Sequence, residues 1–225
     1  MKKILRLSLY ASAFLVTFVS SEAIYQLNHP DIFLTNYIFE RARTSINEGN
    51  FDKGLTTLNF GANLLINKNK KTYPNVISKT NSLKISLPDN TNLRQEVQKY
   101  ITSLKNFKDL SKSGKYDYSR IYYDLAILAY KNKEEKLFTD FLEASHYLAP
   151  DLSYWTVELA NYYYSIDQEN PASEILTKCL TIEAPKKHCQ KYIDYFSSQS
   201  PFYEPGFLSN EAEEYYKYPS VAIKM

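Results

Sequence analysis

Residues 119–185 read SRIYYDLAILAYKNKEEKLFTDFLEASHYLAPDLSYWTVELANYYYSIDQENPASEILTKCLTIEAP, and they repeat themselves at a spacing of about 34. Leu125-Ala126 returns as Leu159-Ala160, and Ala144 and Pro150 return as Cys179 and Pro185, each one residue late. A period in this range belongs to stacked supersecondary units, each of which covers the apolar face of its neighbour. The expected fold class is therefore all-α: a solenoid of helical hairpins with extra helices, built to hold something.

The rest of the chain is punctuated in the same way. Its prolines stand between helix-periodic segments: Pro30, Pro74, Pro88, Pro150, Pro171, Pro185, Pro201, Pro205 and Pro219. The apolar periodicity predicts helices over 32–47, 52–66, 91–112, 119–131, 134–148, 152–165, 171–183 and 187–198. The first two are joined by Glu48-Gly49-Asn50-Phe51. In the 91–112 helix, Leu93, Val97, Tyr100, Leu104 and Phe107 form one stripe. Thr91 or Asn92 caps its start, and Gly114 lies just past its end where a left-handed cap residue belongs. Residues 75–87 read as a short helix or as an ordered linker. Residues 200–225 form a proline-bearing tail, expected to be extended or partly disordered, with one helical stretch near 208–217.

These residues resemble the tetratricopeptide repeat family. Residues 153–186 fit through Leu159-Ala160, Tyr163, Ala172, Leu176, Cys179 and Pro185, with Thr156 departing at the first bulky position. Residues 119–152 fit through Tyr122, Leu125-Ala126, Phe138, Leu142 and Pro150, with Ala129 in the aromatic position. Residues 35–68 fit through Ile38, Ala42, Gly49-Asn50-Phe51, Gly54, Leu58 and Gly61. The resemblance covers nearly half of the chain in three units and leaves a basic insertion at 69–118. It implies a right-handed superhelix over 24–199 whose first helices line a concave groove. In this sequence the groove would present Asn36, Phe39, Arg43 and Asn47, then Arg120, Tyr123, Tyr130 and Lys131, then Tyr154, Asn161 and Tyr164. The family's mode of action implies a protein or peptide partner, its backbone held by Asn and its side chains anchored by Tyr. The alternative ligand for such aromatic residues is a carbohydrate or small molecule stacked on Tyr and Trp155. A third reading packs these tyrosines against an added C-terminal helix or the tail.

Lys2, Lys3 and Arg6 precede an apolar run from Leu7 to Val19, followed by Ser21-Glu22-Ala23. This is the order of an export signal. It is expected to be either cleaved after Ala23 or retained as an anchor over residues 4–25. The body is then extracytoplasmic, secreted or membrane-anchored. Export permits a Cys179–Cys189 disulfide across the turn at Ala184-Pro185, two small core residues being the other reading. The formal charge is +2, all of it in residues 1–23, so a body starting at Ile24 is neutral. Neutrality argues against nucleic-acid binding, which rests on net positive charge. It conceals a net of +8 over 68–115 and −7 over 116–225. With three histidines, five glycines and no nucleophile, phosphate-loop or metal-ligand motif, no catalytic residue, metal or cofactor is expected.

Overall fold

The computed structural model describes residues 30–77, 82–104, 114–183 and 186–196. The leader expected over 1–23 and the tail over 200–225 lie outside them. The described residues form eight helices and no strand: α1 Pro30–Asn47, α2 Phe51–Thr72, α3 Thr91–Ser103, α4 Gly114–Lys131, α5 Glu135–Leu148, α6 Ser153–Ser165, α7 Glu169–Cys179 and α8 Lys186–Phe196. The chain is all-α. Helix α1 pairs with α2, α4 with α5 and α6 with α7, while α8 packs on α6 and α7. Helix α3 packs on both α1 and α4. Among the described residues no helix is long and apolar enough to cross a membrane.

One turn geometry closes all three hairpins. Gly49, Lys133 and Asp167 have φ of 81°, 60° and 59°. Each donates its N–H to the carbonyl three residues back, and the next residue donates to the carbonyl five back: Asn50 to Ser45, Glu134 to Ala129, Gln168 to Tyr163. These bonds satisfy carbonyls that the end of a helix would leave orphaned. Only the first turn uses glycine, which takes the left-handed conformation without steric cost. Lys133 and Asp167 adopt it at a cost of roughly 1–2 kcal/mol each. The turn therefore recurs as backbone geometry more faithfully than as residue identity.

Inside the first hairpin, Phe39, Ala42 and Ile46 of α1 bury against Leu55, Leu58, Ala62 and Ile66 of α2. Gly54 and Gly61 bring the helices close: a Cβ at Gly54 would meet Ile46 and the Ala42 carbonyl, and one at Gly61 would meet Tyr118 and Ile38. Helix α2 runs six residues beyond its expected end at 66, because Asn69 is still buried. Its carboxamide donates to the Tyr147 and Leu148 carbonyls, at 3.1 and 2.7 Å, at the end of α5. In the second hairpin, Ser119 Oγ reaches the Ser145 carbonyl at 2.8 Å, and Tyr122 and Phe141 meet edge to face with ring centroids 5.8 Å apart.

The linker between the first two hairpins differs from its helical reading. Residues 82–88 form no helix, and Ile85 and Leu87 are buried between exposed Lys84 and Ser86. Pro88 removes a helical continuation, and a period of two aims alternate side chains at the core. Two asparagines of α2 hold this segment: Asn63 bonds both the N–H and the C=O of Leu83 at 2.8 and 3.1 Å, and Asn59 donates to the Ile85 carbonyl at 2.7 Å. Tyr122 in turn donates to Asn59 at 2.7 Å. Helix α3 is capped by Asn90, whose side chain accepts from Leu93 N at 3.1 Å, rather than by Thr91 or Asn92. Gly114 is the first residue of α4 rather than the cap of α3. Phe107 lies outside the described residues.

Cys179, the last residue of α7, is bonded to Cys189 in the first turn of α8, with Cα atoms 6.2 Å apart. Both are buried. The loop is short, so the chain-entropy model assigns the bond about 2–3 kcal/mol. Replacing both cysteines by alanine is expected to lower the urea midpoint accordingly. Exchange should quicken first in α8, read by amide hydrogen exchange of the intact chain, and uniform exchange in α6–α8 would contradict the clamp.

Candidate functional site

The faces of α1, α4 and α6 that carry the expected groove residues are the place to look for function. On α1, Asn36, Arg43 and Asn47 share one side by helical spacing, and α3 lies against it. Arg43 Nη1 donates to the Leu104 carbonyl at 3.0 Å and pairs with Glu40 at 2.5 Å. Gln98 donates to the Asn47 carbonyl at 3.0 Å, and Thr102 Oγ1 to Asn47 Oδ1 at 2.5 Å. Asn36 is half-buried and Phe39 is fully buried. The insertion thus occupies the part of the face that the first unit was expected to offer.

Further along, α3 and α4 meet through a buried acid. Tyr100 donates to Asp124 Oδ2 at 2.6 Å, and Arg120 Nε lies 3.9 Å from the same oxygen. Burial pushes the Asp124 carboxyl up to about 6, although the Tyr100 bond and the Arg120 charge oppose the shift. Between α4 and α6, Tyr123 and Tyr154 meet edge to face with centroids 5.6 Å apart. Trp155 lies 4.5 and 4.6 Å from them. The Tyr123 hydroxyl donates to Glu158 Oε1 at 3.2 Å and lies 3.0 Å from the Tyr154 hydroxyl. Tyr123 has one hydroxyl proton and commits it to Glu158, so the Tyr154 hydroxyl donates to Tyr123. Burial, then the Glu158 charge, raises the Tyr154 phenol well above its ordinary value. The Tyr154 phenol therefore stays protonated and serves as a donor.

The structure brings Tyr123 and Tyr154 together, but Tyr123, Tyr154, Phe39 and Asn161 are buried. They do not line an open groove as the family pattern implied. The physical reason is coverage: α3 lies on α1 and α4, and α8 on α6. Tyr130 and Lys131 are exposed at the end of α4, the Tyr130 ring edge-on to Phe138 at 5.3 Å. Tyr164 is half-buried at the end of α6, its phenol raised by burial and then by Glu169. Tyr100, Asp124 and Glu158 are members of the cluster that the sequence reading missed. Asp124 follows Arg120, and Glu158 follows Tyr154, by one helical turn, and that spacing was the available signal.

His146 is buried in the junction of α5 and α6, with Nδ1 3.0 Å from Thr156 Oγ1. Burial first, then the Lys178 charge, lowers it to about 4. It is a neutral core residue at physiological pH. Comparison with protein-family models, curated proteins and solved structures finds no match. The arrangement itself is an acid–phenol network under cover, which fixes the packing of α3, α4 and α6. Among the expected groove positions Asn47, Tyr130 and Lys131 are exposed, and Tyr164 is half-buried.

Proposed function

We propose that the protein is an exported or membrane-tethered interaction scaffold, a tetratricopeptide-like stack of hairpins that holds a protein or peptide partner. The observation that carries this reading is the recurrence of one turn geometry at Gly49, Lys133 and Asp167, the last two separated by the same 34 residues as the sequence repeat. Stacked hairpins of this period present equivalent positions side by side. Tyr130 and Tyr164 are such a pair, also 34 apart, each just before a shared turn. With Lys131 they form the anchor we assign to the partner; rigid aromatic side chains supply contact area at low entropic cost. The bonded cysteines fit an oxidising compartment. The carbohydrate alternative needs an open aromatic platform, and the burial of Tyr123 and Tyr154 weighs against it.

The test is affinity capture with the full chain from the host membrane fraction, read by mass spectrometry. A reproducible protein partner is expected, and Tyr130→Ser with Lys131→Glu should reduce its recovery at least about tenfold while helical content is unchanged. Undiminished recovery would remove the anchor, and recovery of no protein at all would remove the scaffold reading.

A further inference from the structure

The outer side of the first hairpin carries three of the five exposed large apolar side chains among the described residues. Leu34 and Tyr37 on α1 are 43% and 52% exposed, and Phe60 on α2 is 57% exposed. Gly61 packs beside Ile38, so the turns that bear Tyr37 and Phe60 stand at the same height of the hairpin. Phe60 projects directly opposite the buried stripe of Leu58, Ala62, Leu65 and Ile66. Partly exposed Leu64, one turn on, extends its apolar surface.

Basic side chains flank this patch, and Glu40, one turn on from Tyr37, is paired with Arg43. Arg41 lies over the Tyr37 ring, 5.9 Å from its centroid, and donates to its hydroxyl at 3.3 Å. Exposed Lys53 and Lys71 fall on the same arc of α2 as Phe60, and no acidic residue follows Asp52 in that helix. Aromatic rings beside long basic side chains suit a bilayer interface: the rings enter the headgroup region, while the stems of Lys and Arg lie along them and the charges reach phosphate. The length of chain before α1 places such a surface within reach. Only residues 26–29 separate the end of the apolar 4–25 segment from Pro30, and fully extended they span at most about 15 Å.

We infer that the outer face of the α1–α2 hairpin docks on an anionic phospholipid bilayer through Leu34, Tyr37 and Phe60, with Arg41, Lys53 and Lys71 meeting the headgroups. This rests on the tethered form of the proposed function and adds an orientation to it. The docked hairpin lies against the membrane, and the later hairpins extend away with the partner anchor.

The test uses the full chain carrying Phe60→Cys or, as a control on α8, Lys187→Cys. Both positions are exposed, and the native cysteines are buried in their mutual bond. Each is labelled with an environment-sensitive fluorophore on phosphatidylcholine vesicles, with and without phosphatidylglycerol, containing a headgroup-depth quencher lipid. Quenching at position 60 is expected to exceed that at 187 by roughly threefold or more on the anionic vesicles, consistent with shallow insertion of an apolar face. It should fall when Arg41, Lys53 and Lys71 are changed to Gln, because each cation near an anionic surface contributes to binding. Equal quenching at 60 and 187 in a chain that floats with the vesicles overturns the docking and leaves the tether intact. Quenching indifferent to phosphatidylglycerol overturns the anionic surface. A chain that does not float overturns both tether and docking, while partner capture remains a separate result.

Discussion

Gly61→Val is expected to lower the unfolding free energy by about 3 kcal/mol, the upper part of the range for overpacking a close-packed core. Gly61 sits where α2 crosses both α1 and α4. An added Cβ would press on the Tyr118 hydroxyl end and ring and on the Ile38 methyl. The Tyr118 ring cannot swing aside: it is fully buried, and its hydroxyl donates to the Thr35 carbonyl at 3.2 Å. Gly61→Ala should be milder, since alanine regains about 1 kcal/mol of helix propensity. Adding Tyr118→Phe to Gly61→Ala removes the nearest atom and should recover part of the loss. Urea denaturation of the intact chain reads all three variants. A Gly61→Val midpoint equal to that of the wild type would mean that α2 does not approach α1 and α4 this closely.

The second large effect is a pair of opposed pH slopes. His146 is held at about 4 against an ordinary 6.5. Its neutral form belongs to the folded state, so the stability it contributes is present above pH 6.5 and is lost as pH falls toward 4. That difference of about 2.5 pH units corresponds to roughly 3 kcal/mol. Asp124 is raised from 3.8 to about 6. Its protonated form is favoured in the fold, so its contribution is present below 3.8 and is lost as pH rises through 6, again roughly 3 kcal/mol. Between about pH 4 and 6 the two nearly offset, and the wild-type profile should be shallow there. His146→Gln should leave stability falling as pH rises, and Asp124→Asn should leave it falling as pH drops. Urea midpoints near pH 4.5 and pH 7 measure both slopes. Parallel profiles in the two variants would show that neither group is held as the structure places it.

The hairpins were legible in the sequence because small residues and turns are local signals. Ala42, Ala126 and Ala160 mark close helix approach, and Gly49-Asn50 marks a turn. The extension of α2 was not, since Asn67 to Thr72 is polar in every local sense. Only the Tyr147 and Leu148 carbonyls, distant in sequence, give Asn69 a reason to be buried. The linker's alternation at Leu83, Ile85 and Leu87 was visible, yet a helical period through Val76 and Leu87 competed with it. The contribution of the neighbouring asparagines could not be read without the tertiary fold.

The candidate site was half legible for a related reason. Family resemblance supplied the positions Tyr123 and Tyr154, whose hydroxyls meet in the structure. It could not supply their exposure, because the insertion that covers α1 and α4 has no counterpart in the repeat pattern. Nothing within residues 91–103 announces that Gln98 and Thr102 are committed to Asn47. Tyr100 was read as one more core residue of a helical stripe, and its hydroxyl bond to Asp124 depends on where α3 lands.

The placement of α3 also has a mechanical consequence. A row of hairpins joined only by neighbour contacts bends at each joint like a spring. Helix α3 lies across the first joint, bonded to α1 through Arg43 and Asn47 and to α4 through Tyr100 and Asp124, and so acts as a splint. At the second joint α4 and α5 meet α6 directly, through Tyr123 against Tyr154 and Phe138 against Tyr162. Load applied between the first and last hairpins is therefore expected to bend the second joint before the first.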